Sequence, residues 1–314
     1  MIHTAEICIV GRRMERGVLR LRLLWRRLEA PTWILVFAIY GCWVALTYDW
    51  RGVPLWLAAP VGTWLCAWHM SLQHELMHGH PTRNARVNAA LGWPPLNLWL
   101  PYAIYRESHL RHHCDATLTD PLDDPESTYV SAASWARAGR VGRFCYVARN
   151  TLPGRLLIGP GWAMVGFWLG QLRRWRSMGA WRIWLGHAAG VGLVLGWVWG
   201  VCGVDPLTYV ACCVYPGTAL ILFRSLAEHR AAARPEDRTA VVERAGLLGL
   251  LYLHNNLHVL HHAQPGLPWY RLPAQWRVLR AEMLRGRAGP IYRGYGDVAR
   301  RYALRPQHVG PHPG

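Results

Sequence analysis

Four apolar runs of nearly bilayer length, at residues 32–48, 53–71, 181–202 and 206–223, constrain the fold of this chain more than anything else in it. A hydrocarbon core of about 30 Å needs about 20 residues of helix to cross it. The runs come in two pairs, joined by the tight turns 49–52 (DWRG) and 203–205 (GVD), which hold one Arg between them. Every other connection is Arg-rich: residues 11–27, 83–86, 106–111, 173–182 and 224–244. Basic loops stay cytoplasmic, so both termini and all long loops are expected on that side. The expected fold is all-α and integral to the membrane. It has four transmembrane helices in two hairpins, with interfacial helices and a cytosolic cap.

Two further apolar stretches do not fit as spans. Residues 89–104 contain Pro94, Pro95 and Pro101, and residues 155–172 contain Gly159, Pro160 and Gly161. A single crossing by either would put Arg-rich loops outside, so both read as interfacial or re-entrant helices. The simplest organisation is a basic N-terminal segment (1–30), one membrane domain (31–285) and a polar C-terminal tail (286–314). The Arg-rich start has no short apolar core with a small-residue cleavage site, so it does not read as a signal peptide.

Composition agrees with a membrane setting. Hydrophobic residues make up 52% and charged residues only 17%, and nineteen Trp against four Phe favour a bilayer interface. The formal charge is +17, and all 35 basic residues are Arg. Such an excess suits nucleic acid or anionic lipid. No nucleic-acid recognition motif accompanies it and the Arg residues flank apolar runs, so lipid is the expected partner. No CxxC occurs, which removes zinc ribbons and redox pairs from consideration.

The sixteen His are clustered. His74 and His78 stand in HELMHGH, His109, His112 and His113 in HLRHH, and His258, His261 and His262 in HVLHH, while His229 stands in SLAEHR. Helical positions i, i+3 and i+4 share a face, so each three-histidine box is expected to aim its imidazoles in one direction. Together these groups supply nine nitrogens, more than one metal can use. Chance would produce two His-x-x-His-His strings in such a chain at roughly a tenth of a per cent. His80, beside the first box, is a further candidate for metal or water contact. His69 and His187 read as hydrogen-bonded core residues. His3, His308 and His312 read as solvated terminal residues.

Imidazole donors without thiolates suit Zn, Cu, Fe or Ni, and catalytic zinc takes only three protein ligands. Two redox metals, iron first among them, fit nine donors better. Glu75, Glu107, Asp115, Asp120, Asp124, Glu126 and Glu228 lie near the boxes and are candidates for orienting imidazoles through the second ring nitrogen. Gly190-Val191-Gly192 lies inside an apolar run and reads as helix packing, not as a dinucleotide loop. The reducing electrons must then come from outside the chain.

HELMH, HLRHH and HVLHH, in this order, resemble the three histidine boxes of the membrane fatty acid desaturase superfamily. His229 resembles its extra ligand before the third box. The flanking LTDPLDDPES (118–127) and NNLHVLHHAQPGLPWYRLP (255–273) are similar to the bacterial desaturase-like branch, and the resemblance covers about residues 30–285. It implies a mushroom-shaped fold with four transmembrane helices under a cytosolic cap. It also implies two non-haem Fe ions that use molecular oxygen on a long-chain acyl lipid, with a ferredoxin or cytochrome b5 type donor. One departure stands out: Ser225 occupies the place where the stearoyl-CoA branch has an Asn holding a metal-bound water. Asn255 and Asn256 lie nearer the third box and could serve instead. The alternative within the same chemistry is a hydroxylase or ketolase of a lipid or carotenoid. Outside it stands a zinc hydrolase or metal carrier.

Overall fold

The computed structural model describes Trp25 and residues 28–174 and 180–313. The basic segment 1–30 therefore lies almost wholly outside the described residues. Among the described residues, three helices are long and apolar enough to cross a membrane: α1 (Ala30–Tyr48), α9 (Ala180–Val201) and α10 (Pro206–Ser225). The second apolar run becomes α2 (Leu55–Met77), longer than these at 23 residues. Its C-terminal half carries His69, Gln73, His74 and Glu75, all buried, which lowers its hydropathy and takes it out of the set of apolar crossers.

Helix termini follow local chemistry. Pro31 opens α1 at its first turn, where a missing N–H costs nothing. The Asp205 carboxylate caps α10 by accepting from Thr208 N at 3.0 Å. Gly217 on α10 faces Cys66 on α2, and a Cβ there would sit 2.8 Å from Cys66 Cβ. Only a glycine lets the two backbones approach that closely. The two hairpin turns meet at one end of the bundle, where Arg51 donates to Gly203 O at 3.1 Å.

The stretch expected as one helix over 89–104 is interrupted. Helix α3 (Ala85–Gly92) ends, and α4 (Tyr102–His112) begins only after Pro101. Pro94, Pro95 and Pro101 account for the break, since proline lacks the donor and restricts the residue before it. The irregular segment between them is buried at Leu96, Asn97 and Leu100. Its carbonyls are met by side chains from the long helices. Tyr209 donates to Leu96 O at 2.8 Å and is itself held by Trp43 Nε1 at 3.0 Å, while His187 Nε2 donates to Leu98 O at 2.9 Å. Gly190 of α9 abuts Pro95, so it does serve packing, whereas Gly192 faces open space. Non-helical backbone survives at such depth only when protein groups satisfy it.

After α4 come three short helices, α5 (Ala132–Arg137), α6 (Arg140–Ala148) and α7 (Leu152–Leu157). The longer α8 (Gly159–Arg174) follows. Beyond α10 the chain forms β1 (Val241–Arg244), α11 (Leu247–Leu251), α12 (His258–Ala263), α13 (Leu272–Met283), β2 (Ile291–Gly294) and α14 (Tyr295–Tyr302). The two strands pair in parallel, Val241 opposite Ile291, a small departure from the all-helical expectation. Residues 286–314 read as a polar tail, yet Tyr292, Tyr295 and Val298 are buried in the main core. The alternation of large apolar and charged residues in this segment conceals that face from a composition-based reading.

Candidate metal centre

Four elements carry the clustered histidines to one place. The buried end of α2 presents His74 and His78, and α4 with its cap presents His109, His112 and His113. On α12, Val259 and Leu260 sink into a core with Leu272 and Trp276, which turns His258, His261 and His262 the other way. His229 follows α10 and is fixed by a bridge to Thr239 and by Arg230 N donating to Arg238 O at 2.9 Å.

The nine imidazoles sort into two clusters. His74, His78, His109, His113 and His261 form one and His112, His229, His258 and His262 the other, each with its donor atoms within 4.8 Å of one another and able to hold a metal ion. This corrects the expectation that a box aims all its rings one way. At 100° per residue, i and i+4 differ by about 40° around the helix, whereas i+3 lies about 100° from i+4. His109 and His113 therefore join one cluster and His112 the other. In α12 the assignment is exchanged: His258 and His262 join the second cluster and His261 the first.

Nitrogen spacing is informative. Nε2 of His109 lies 3.0 Å from Nε2 of both His78 and His113, and His261 lies 3.1 Å from His113. In the second cluster His229 lies 3.0 Å from His112 and 2.9 Å from His258. Donors about 2.1 Å from one ion stand about 3.0 Å apart at right angles and about 3.4 Å apart at the tetrahedral angle. The neighbouring pairs are thus close enough to share one ion. Among the described residues His74 Nε2, which is buried, has no hydrogen-bond partner, as a donor reserved for an ion would be.

Second ring nitrogens are held by carboxylates and an amide. His112 Nδ1 donates to Asp124 Oδ1 at 2.8 Å and His109 Nδ1 to Glu126 Oε1 at 3.1 Å. His258 Nδ1 donates to Asn255 Oδ1 at 3.1 Å. Asn255 Nδ2 donates to Glu228 Oε1 at 3.1 Å, and Arg224 pairs with Glu228 at 2.8 Å. Burial drives His78 down to about 2 and His229, His258 and His261 well below the ordinary imidazole value, with neighbouring imidazoles adding to the effect. These rings are neutral donors at physiological pH. His112 moves the other way: burial lowers it, but Glu126 and Asp124 outweigh burial and raise it.

The other expected orienting residues do different work. His80 Nδ1 meets Glu29 Oε2 at 2.8 Å and its Nε2 stands 4.0 Å from Glu75, so it belongs to neither histidine cluster. Glu75 Oε1 accepts from Trp269 N at 3.0 Å, pinning the segment after the third box. Asp120 caps a turn through Leu122 N and Asp123 N, and Glu107 is exposed. Asn256 donates to Val242 O at 2.7 Å and so holds β1. A cavity of about 40 Å³, bounded by Asp124, Glu126, Tyr129, Arg224, Ser225 and Glu228, abuts the second cluster.

His308 and His312 are half-buried and partnered rather than free in solvent. His308 stacks on Tyr129 with ring centres 3.8 Å apart and accepts from Asn150 Nδ2 at 3.1 Å, while His312 Nε2 meets Thr119 Oγ1 at 3.1 Å. The chain end folds back on the centre, which position along the sequence does not reveal. Arg224 also escaped sequence reading, although its place four residues before Glu228 was a usable signal.

Apolar helices of membrane length together with two polyhistidine clusters define a membrane protein with a centre able to hold metal. The chain belongs to the fatty acid desaturase family, whose family model matches residues 49–294. No curated protein matches the chain.

Proposed function

We propose that this protein is an oxygen-dependent desaturase of a long acyl chain, carried on a lipid or a fatty acyl thioester, with two irons held by the nine clustered histidines. The observation that carries the reading is the division of those histidines into groups of five and four whose donor atoms lie within 4.8 Å of one another, with five neighbouring pairs at 2.9–3.1 Å. Bound there, iron supplies the activation of dioxygen and the abstraction of hydrogen from an unactivated C–H bond. The chain's own residues keep most of the donors neutral by burial and orient His112, His109 and His258 through Asp124, Glu126 and Asn255. The nitrogen-rich, mostly neutral donor set suits iron better than a three-ligand zinc hydrolase site.

The membrane arrangement proposed is four crossings, α1, α2, α9 and α10, in two hairpins. Their shared turn end lies outside, and the termini and histidine centre lie on the cytoplasmic side under a cap. The Arg51–Gly203 contact supports parallel hairpins, and the Arg-poor turns support the sidedness. An apolar passage between helices would bring an acyl chain to the centre without exposing it to water. Residues 1–30 are proposed as a basic lead segment, 31–285 as the membrane domain and 286–314 as the C-terminal tail. An external donor of ferredoxin or cytochrome b5 type supplies electrons, and exposed Arg277, Arg280, Arg285, Arg300 and Arg301 suit an acidic one.

The test is expression in a lipid-producing host, lipid profiling by mass spectrometry, and metal counting on the purified protein. Loss of two hydrogens from an acyl chain, dependent on oxygen and abolished by His261→Ala, is the expected result. Gain of an oxygen atom would indicate the hydroxylase alternative. One zinc per chain with turnover in the absence of oxygen would overturn the proposal.

A further inference from the structure

We propose that the C-terminal strap, residues 305–313, is a positioning device for the four-histidine cluster, with Gln307, which bonds the His229 carbonyl directly, as its key residue. This rests on the reading of the two clusters as metal sites.

The chain leaves α14 and crosses the loops beneath the second cluster. Gln307 is only 8% exposed. Its side-chain amide donates to two carbonyls, Leu226 O at 2.9 Å and His229 O at 3.0 Å. These lie just past the end of α10, where helix carbonyls run out of partners. One of them belongs to the histidine that no box supplies. Gln307 N in turn donates to Asn150 O at 2.8 Å, which ties the strap to the body of the cap.

Its remaining contacts converge on the same loops. His308 lies flat on Tyr129, and the Tyr129 hydroxyl accepts from Ala231 N at 2.9 Å, two residues after His229. His312 N donates to Val130 O at 2.9 Å, and its ring meets Thr119 Oγ1. Thr119 N donates to Asp124 Oδ2 at 2.9 Å, the carboxylate whose other oxygen holds His112. The strap thus reaches His229 directly and His112 through Thr119 and Asp124. Both belong to the second cluster, whereas the five-histidine cluster is reached only one residue further on, through Glu126, whose N donates to Asp124 Oδ1 and whose carboxylate holds His109.

Partners that orient metal-binding imidazoles are worth about 10–100-fold in metal affinity. Gln307→Ala is therefore expected to weaken one of two bound ions by that factor and leave the other unchanged. The experiment uses the full chain in detergent, loaded anaerobically with Fe(II) and dialysed against graded chelator, with iron counted per chain. Gln307→Glu keeps the volume but replaces the donating amide nitrogen, and it should behave as Gln307→Ala does. If Gln307→Ala does not fold, His308→Ala is read in the same way. Wild-type retention of both ions by the variants, or equal weakening of both, overturns the inference while leaving the metal reading intact. A wild-type chain that takes up no iron overturns the metal reading, and the inference with it.

Discussion

Asp124→Asn tests the coupling between the loop after the second box and the four-histidine cluster. The Asp124 carboxylate is 5% exposed and accepts three hydrogen bonds. His112 Nδ1 arrives at 2.8 Å and Glu126 N at 2.9 Å on Oδ1, with Thr119 N at 2.9 Å on Oδ2. An asparagine offers one acceptor oxygen, so its amide nitrogen must face a donor in either orientation. Turned toward Thr119, it leaves a buried N–H unpaired at about 1–3 kcal/mol of folding stability. The charge that strengthens the His112 bond is lost as well. Turned toward His112, it forces the ring proton onto Nε2 and removes that nitrogen as a donor to metal. Either outcome falls within the about 10–100-fold range for partners of metal-binding imidazoles, or about 1.4–2.8 kcal/mol. Chelator competition with iron counting, alongside turnover on the same preparation, measures it. Unchanged affinity for both ions, or release of iron from the five-histidine cluster first, would refute the reasoning.

Three further outcomes are expected. Tyr209→Phe removes the hydroxyl that serves both Leu96 O and Trp43 Nε1. It should lower stability by about 1–3 kcal/mol, read by thermal unfolding in detergent, and an unchanged midpoint would show that those groups find other partners. Arg224→Ala strands the buried Glu228 carboxylate. A loss of about 3–5 kcal/mol is expected, and a wild-type denaturant midpoint would contradict it. For His308, burial, with Arg155 and Arg149 and then His312 and Arg230 alongside, pulls the ring from 6.5 down to about 3. Above 6.5 neither the folded nor the unfolded chain carries this proton. As pH falls below 6.5 only the unfolded chain binds it, so stability declines toward pH 3. His308→Phe retains an aromatic on Tyr129 without the titration and should show a shallower decline between pH 6.5 and 4 in thermal melts.

Residue type and spacing carried the chemical identity of the centre into the sequence. His-x-x-His-His cannot be hidden by context, and apolar runs bounded by DWRG and GVD announce hairpins without reference to anything distant. Which imidazole joins which cluster was not legible. It depends on a fan of about 100° between adjacent helical positions and on how α4 and α12 face each other. Asn255 and Asn256 are adjacent and chemically identical, yet one holds His258 and the other holds a strand. Only the backbone path decides between them. Glu75 and His80 looked like members of the centre because they stand beside its first box. Their partners, Trp269 and Glu29, lie far off in sequence. Long-range contacts of this kind also explain His308 and His312, whose place near the chain end gave no hint of Tyr129 or Thr119.

The exchange of roles between the two three-histidine boxes has a geometric consequence. Within each box, neighbouring positions on a single helical turn serve different clusters, and side chains so related stand only about 5–6 Å apart at their Cβ atoms. The gap between the two sites is therefore ruled by helix pitch, a quantity that loop motion and membrane strain scarcely alter. A one-residue insertion between the first and second histidine of either box would rotate two of its three rings, one from each cluster, whereas insertions between boxes would leave this internal gauge untouched.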